Sequence, residues 1–470
     1  MKVRDVLTLD VEDVALGGKA LARVEGRVVF VDRGLPGDQV SARVTKTSRR
    51  FAEARLTSVE RPSPARIPAR CVHAERCGGC RLQEMPYAAQ AELKERHVRE
   101  ALRHLGGFPE PPVRAIVPAP SPWGYRNKME FSFAPAESGS AGPVLGLHER
   151  GTYDRVFELR ECWLPSPLTV EIVRFTQAFA AAHRWRAYHP SRHEGVARFL
   201  TVRHLPHTAS CAVQLLAHSD DLPGLDEWAR GVSALSPEVR TVTLGLNRSR
   251  AHVAIAEEER ALIGDGVIVE RLLGLEFELV ANAFLQTNSA QAERLYEGAL
   301  AAAGLTGSER VLDLYCGAGT LTLAFARVAA EAVGVESFPE SVERARRNAV
   351  RNGAANVRFE LGEARAVLRQ WARGERPGAP RPDVVVVDPP RAGLHPRVVA
   401  RVAELSPKRV VYVSCNPATL ARDLKDFAAL GWVPAEVTPY DMFPHTPHIE
   451  CVTRLERAGP ARGGHAGSGA

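Results

Sequence analysis

Three short β-branched runs, each ending abruptly at a turn and followed by a helical pattern, constrain this chain more than any other feature. They are Val311-Leu312-Asp313-Leu314, closed by Cys316-Gly317-Ala318-Gly319-Thr320; Val384-Val385-Val386-Val387, closed by Asp388-Pro389-Pro390; and Val410-Val411-Tyr412-Val413, closed by Ser414-Cys415-Asn416-Pro417. Continuous apolar runs of this length read as buried strands, and their alternation with helices from about residue 273 predicts a doubly wound α/β sheet. Open sheets of that kind bind ligands at the carboxyl ends of their strands. The residues that close each run are therefore the candidate site.

The glycine turn at 317–319 lets the backbone come close to a ligand. The next strand, Ala332-Val333-Gly334-Val335, ends in Glu336, a carboxylate suited to both ribose hydroxyls of an adenosine. Dinucleotide and S-adenosylmethionine (SAM) folds share that pair, and the missing third glycine together with Asp388-Pro389-Pro390 favours SAM. Arg391 stands where amino-methyltransferases carry an aromatic residue, which argues against methylation of an adenine amino group. Cys415 lies between a strand and a helix opened by Asn416-Pro417. A helix start there predicts a thiol pKa drawn from about 8.5 toward neutrality, as a nucleophile needs. The plain alternative is a packed core cysteine.

At 470 residues the chain has room for two to four domains, and 45% hydrophobic residues suffice for packed cores. There is no apolar run of membrane-spanning length and no signal-like start, so a cytoplasmic protein without a membrane partner is expected. A net charge of +6 is compatible with nucleic acid. Residues 1–60 alternate strand-like runs with turns, as in a small antiparallel barrel, with Lys46, Arg49 and Arg50 in a basic connection. A proline-punctuated linker follows at Arg61 to Pro68. Residues 61–272 read as a mixed α+β domain with a helix over Pro86 to Gly106 and Cys211 packed in a core. In this domain Trp123 to Phe131 combines cations and aromatics that suit an unpaired base or, equally, an ordinary exposed turn. Cys71, Cys77 and Cys80 cluster around two glycines, and with Cys162 they suit one metal centre, zinc or iron–sulfur. The chemistry-bearing domain runs over 273–456, and the Gly- and Ala-rich end, 457–470, reads as a disordered tail.

Residues 1–60 resemble the TRAM module, an OB-like RNA-binding barrel. Residues 284 to 452 resemble the RNA uracil-5-methyltransferase family in Phe284-x-Gln286-x-Asn288, Asp313-x-Tyr315-Cys316-Gly317-x-Gly319, Asp388-Pro389-Pro390-Arg391, Ser414-Cys415-Asn416-Pro417 and His448-x-Glu450. The barrel and the four cysteines resemble the ribosomal-RNA branch, whose members bind a [4Fe-4S] cluster. The resemblance implies a Rossmann-like class I methyltransferase domain and a monomer acting on 23S rRNA. Gln286, Tyr315, Thr320, Glu336, Glu363 and Asp388 would line the SAM site, with Cys415 as nucleophile, Glu450 as base and Cys71, Cys77, Cys80 and Cys162 as cluster ligands. Thr320 and Glu363 replace asparagines common in the family. A transfer-RNA methyltransferase and a non-catalytic RNA-binding protein that keeps the SAM fold are the alternatives.

Overall fold

The computed structural model describes residues 1–136 and 142–458. Of the tail expected over 457–470, all but two positions lie outside the described residues, and Arg457 itself ends a strand. The chain divides into two compact units. One comprises Met1–Leu93, Ala119–Ala292 and Met442–Pro447; the other comprises Lys94–Pro118, Glu293–Asp441 and the residues from His448 onward.

The first unit opens with β1 (Val6–Asp10), β2 (Asp13–Val14), β3 (Ala20–Val24), β4 (Arg27–Val31), β5 (Gln39–Thr47) and β6 (Phe51–Arg61). They form one curled sheet in the order β1-β5-β6-β4-β3-β2. Its interior is small: Ala20, Ala22, Val29, Val40, Ala42 and Ala52 are fully buried, and only narrow side chains let so short a sheet close on itself. The sheet departs from the all-antiparallel expectation at β4 and β6, which pair in parallel. Lys46 lies within β5 and not in the turn that holds Arg49 and Arg50. The proline-rich connection after β6 is fastened in place. The Ser63 amide donates to Asp38 at 2.7 Å, and the Arg66 guanidinium bridges Asp38 and Glu84.

After α1 (Tyr87–His104), the first unit continues with β7 (Lys128–Ala134), β8 (Val144–His148), β9 (Val156–Glu158), α2 (Pro167–Ala182), β10 (Ala197–Leu205), β11 (Ser210–Ala217), α3 (Leu225–Ala234), β12 (Val239–Leu246) and β13 (Glu258–Ile263). Their seven strands run β13-β12-β11-β10-β7-β8-β9, antiparallel except for the β11 and β12 pair. Helices α2 and α3 bury Ile172, Val173, Trp228 and Val232 in the sheet's core, where Cys211 also packs. A hairpin follows, β14 (Ile268–Leu272) with β15 (Leu275–Leu279), and then α4 (Ser289–Ala303), whose residues from Glu293 onward belong to the second unit.

The second unit is built on β16 (Arg310–Leu314), α5 (Thr320–Ala326), β17 (Glu331–Glu336), α6 (Pro339–Arg351), β18 (Val357–Leu361), α7 (Ala364–Ala372), β19 (Val384–Val387), α8 (Pro396–Glu404), β20 (Arg409–Ser414), α9 (Pro417–Ala429), β21 (Trp432–Tyr440) and β22 (Glu450–Arg457). The sheet order is β18-β17-β16-β19-β20-β22-β21, parallel from β18 to β20. The last strand slots between β20 and β21 and runs against both. All four valines of β19 are fully buried, as expected of a strand covered on both faces, each worth about 1.5–3 kcal/mol over exposure. Among the described residues no helix is long and apolar enough to cross a membrane.

Candidate active site

The carboxyl edge of the second sheet collects the closing residues of four strands. β16 ends in Tyr315, whose φ of 70° is a left-handed conformation unusual for a tyrosine, and strain of this kind is characteristic of functional turns. Gly317 and Gly319 follow, also with positive φ. A Cβ at Gly319 would lie 2.9 Å from the Phe359 ring, so α5 can pack onto the sheet only through a glycine. A Cβ at Gly317 would meet no protein atom within 4 Å, because the turn opens onto free space there. Thr320 begins α5.

At the end of β17, Glu336 accepts the Gly317 amide at 3.0 Å on one oxygen. On the other it accepts the amides of Ser337 at 2.6 Å and Phe338 at 3.0 Å. Its carboxylate thus fixes both the glycine turn and the start of α6. Asp313 is fully buried on β16. Thr322 donates to its Oδ2 at 2.6 Å, while Oδ1 has no partner among the described residues. Burial, with the charges of Asp388 and Glu336, pushes this carboxyl up to about 7. The open glycine cradle, the acid beside it and the unpartnered buried oxygen fit an adenosine-bearing cofactor such as SAM. Glu363 sits just before α7, exposed, 3.8 Å from Arg365. Gln286 belongs to the first unit, where it is buried and its carbonyl accepts from Asn127 at 3.0 Å.

Cys415 and Glu450 are brought together by strand register. Ser414 on β20 pairs with Cys451 on β22, so Cys415 and Glu450 each stand one residue beyond this last pair, at the same end of the two strands, and the Glu450 charge acts on the thiol. Glu450 is 3% exposed. Burial and the neighbouring Asp388 hold its carboxyl well above the ordinary range, with Arg391 acting the other way. Desolvation lifts Asp388 to about 7.

The helix start beside Cys415 forms as its sequence predicts. Asn416 caps α9 by accepting the Ala418 amide at 3.0 Å, and Pro417 occupies the first turn. The expected lowering of the thiol pKa does not follow. Burial, then the charges of Glu450 and Asp388, push Cys415 up to about 11, and only Arg391 and a backbone hydrogen bond oppose them. The partial charge of one helix end is smaller than two carboxylates supplied by other strands.

The loop after Asp388 is tied to α9. The Leu394 amide and the Tyr412 hydroxyl both donate to Asp423 Oδ2 at 2.7 Å, and Arg422 donates to the Ala392 carbonyl at 2.9 Å. Two participants escape the sequence. Arg391 was legible as part of a motif but not as the cation that favours both ionised forms. Tyr296, buried on α4, is held protonated by burial and by the charges of Asp388, Glu450 and Asp313, and nothing in its helical pattern signals it.

In the first unit, the loop from Cys71 to Cys80 is tied to the Cys162 segment through His73, which accepts the Arg160 amide at 3.0 Å, and Glu161, which accepts the Val72 amide at 2.6 Å. The guanidinium of Arg150 donates to the Ala74 and Cys77 carbonyls, both at 2.9 Å. Burial lifts Cys80 far above an ordinary thiol and Cys162 to about 12; the charges of fellow thiols add to this, and Arg126 opposes it. Buried thiols of this kind are donors that a cationic centre would stabilise as thiolates. No group of three or more His, Cys, Asp or Glu side chains placed to hold a metal ion is found among the described residues. Of the Trp123 to Phe131 stretch, Tyr125 and Asn127 are buried and bonded to Pro444 and Gln286, while Trp123 stacks on His445 at 3.7 Å.

Residues 192–458 match the family model described as tRNA (uracil-5-)-methyltransferase. The chain belongs to the RNA uracil-5-methyltransferase family. Residues 1–57 match the TRAM domain. The enzyme is 40% identical to an RNA methyltransferase of Nitratidesulfovibrio vulgaris, with 96% of each chain covered. It is 34% identical to one of Bacillus cereus, with 95% of each covered. Its fold is similar to that of the Pyrococcus abyssi tRNA (uracil-54, C5)-methyltransferase in complex with S-adenosyl-L-homocysteine, with TM-score 0.75, 28% identity, and coverage of 95% of this chain and 99% of that one.

Proposed function

We propose that the enzyme methylates uracil C5 in 23S rRNA through a covalent bond between Cys415 Sγ and uracil C6. The reading is supported above all by one observation: the last β20–β22 pair, Ser414 with Cys451, is flanked at the strand ends by the Cys415 thiol and the buried Glu450. Uracil C5 is a poor nucleophile. As Cys415 sheds its proton and Sγ adds to C6, the C5=C6 electron pair moves onto the C4 carbonyl as an enolate, and C5 becomes able to take a methyl group. Bound SAM supplies that methyl group on a positively charged sulfur. Glu450, deprotonated, then removes the C5 proton, the double bond re-forms and Cys415 leaves as thiolate. Burial raises the Cys415 thiol and the Glu450 carboxyl alike, and the Arg391 cation favours the ionised form of each.

In this reading residues 1–60 bind RNA, 61–272 carry a [4Fe-4S] cluster on Cys71, Cys77, Cys80 and Cys162, and 273–456 perform the chemistry. Gln286, Tyr315, Thr320, Glu336, Glu363 and Asp388 contact SAM. Zinc is the alternative at the four thiols, and iron content with visible absorption of anaerobically purified protein separates the two. The ribosomal target is supported by the barrel and the thiol set, and the P. abyssi neighbour supports a second reading in which the substrate is tRNA.

The test is methyl incorporation from labelled SAM into ribosomal and transfer RNA, with RNA containing 5-fluorouridine as a trap. Cys415→Ala should lower turnover by at least about 10³-fold and abolish the gel-stable adduct. An adduct formed by that variant would refute the nucleophile. Incorporation into tRNA alone would select the second reading.

A further inference from the structure

We propose that the groove between α7 and α8 is a binding track for the phosphodiester backbone of the RNA substrate. It is a cavity of about 440 Å³ lined by Arg365 and Arg369 from α7, by Arg373 at the C-terminal cap of that helix, and by Arg397 and Arg401 from α8, with Glu404 as its acid. The inference rests on the RNA methyltransferase reading, since it assigns that substrate a second foothold outside the residues placed at Cys415.

Three features carry it. Arg365, Arg369 and Arg373 recur every four residues, which on a helix puts a guanidinium on one side at steps of about 6 Å. That is a ladder matched to a chain of repeating single charges. The groove floor is Ala366 and Ala400, small enough to leave the space between the helices open. The cations are also largely uncommitted. Arg365 and Arg373 reach acids only at 3.8 and 3.5 Å on exposed surface, where such pairs hold weakly, and Arg401 pairs with Glu404. Arg369 and Arg397 have no carboxylate partner among the described residues.

The topology gives the track a direction. Helices α7 and α8 start where β18 and β19 end, so Arg365 and Arg397 lie toward the sheet edge that bears Asp388 and Arg373 lies away from it. A strand leaving the reactive edge would descend along the arginines. Exposed guanidinium groups with no fixed acid are suited to phosphate oxygens and carry no base preference.

The experiment is fluorescence anisotropy of the full chain with a labelled single-stranded, uridine-containing RNA at salt concentrations from about 50 to 200 mM. Replacing Arg369, Arg373 and Arg397 together by Gln should weaken binding by tenfold or more at the lowest salt and make the slope of log K against log salt shallower by about 2, at roughly 0.7 per lost phosphate contact. The same three changed to Lys should keep the slope. An unchanged slope in the Gln variant overturns the track, as does an equal loss when the exposed Arg230, Arg240 and Arg250 are changed instead. Should the Gln variant fail to fold, a Lys variant with a flattened slope would equally overturn it. Methyl incorporation by the unsubstituted enzyme, run in parallel, reports separately on the uracil-5 reading: RNA held by the arginines without methylation would sink that reading alone.

Discussion

The two seven-stranded sheets of this enzyme have comparable cores, and only one of them gathers its candidate site residues along a single edge. In the second unit the strands from β18 to β20 run the same way, so the glycine turn, Glu336, Asp388 and Cys415 all emerge along one side. In the first unit neighbouring strands mostly alternate direction, and their connections scatter over both ends. Its thiol set hangs instead from one margin, beside β8 and β9, fastened by His73, Glu161 and Arg150. Strand direction decides where chemistry can converge. The first sheet fastens its cysteine-bearing loops through hydrogen bonds, and the second gathers its strand-end residues through topology.

That contrast can be broken in graded ways. The largest effect is expected at the register pair. Glu450→Gln should cost about 10²–10⁴-fold in turnover and leave a protein–RNA adduct on denaturing gels, because addition proceeds while release stalls. Rapid turnover would remove Glu450 as the base. Next, on the proposed cluster reading, Cys80→Ser should abolish bound iron and visible absorption of anaerobically purified protein. Iron content equal to that of the unsubstituted enzyme would remove Cys80 as a ligand.

Asp423→Asn, which weakens the anchor of the loop after Asp388, should destabilise the protein by about 1–3 kcal/mol in chemical denaturation and lower kcat more than it raises KM. The smallest effect concerns pH. Asp313 and Asp388 have folded pKa values near 7, above those of the unfolded chain, so between about 4 and 7 the folded state binds more protons. Stability should therefore be highest at the acid end of that window and fall as pH rises through 7. Melting temperatures of Asp388→Asn should show a shallower decline, and an identical slope would count against the buried acid.

Much of the second sheet was legible from its apolar runs, because strands buried on both faces leave no polar alternation to misread. The pairing of Cys415 with Glu450 was legible only as a condition, that the last strand return its acid to the strand ends; antiparallel register is a tertiary fact. The sign of the thiol shift was misjudged for the same reason. A helix start is visible in Asn416-Pro417, whereas the carboxylates that outweigh it arrive from β19 and β22. In the barrel, the parallel meeting of β4 and β6 joins strands 20 residues apart, beyond the reach of turn signals. Tyr296 gave no signal at all, because an amphipathic helix looks the same whether its buried face meets leucines or acids.

The place of β22 also governs when the second sheet can be completed during synthesis of the chain. It is the final element in chain order, yet it fills a slot between two strands made earlier. Until it has left the ribosome, β20 and β21 lack the neighbour that joins them and the thiol lacks its acid. A nascent chain can therefore form most of its second sheet while the slot between β20 and β21 is still open.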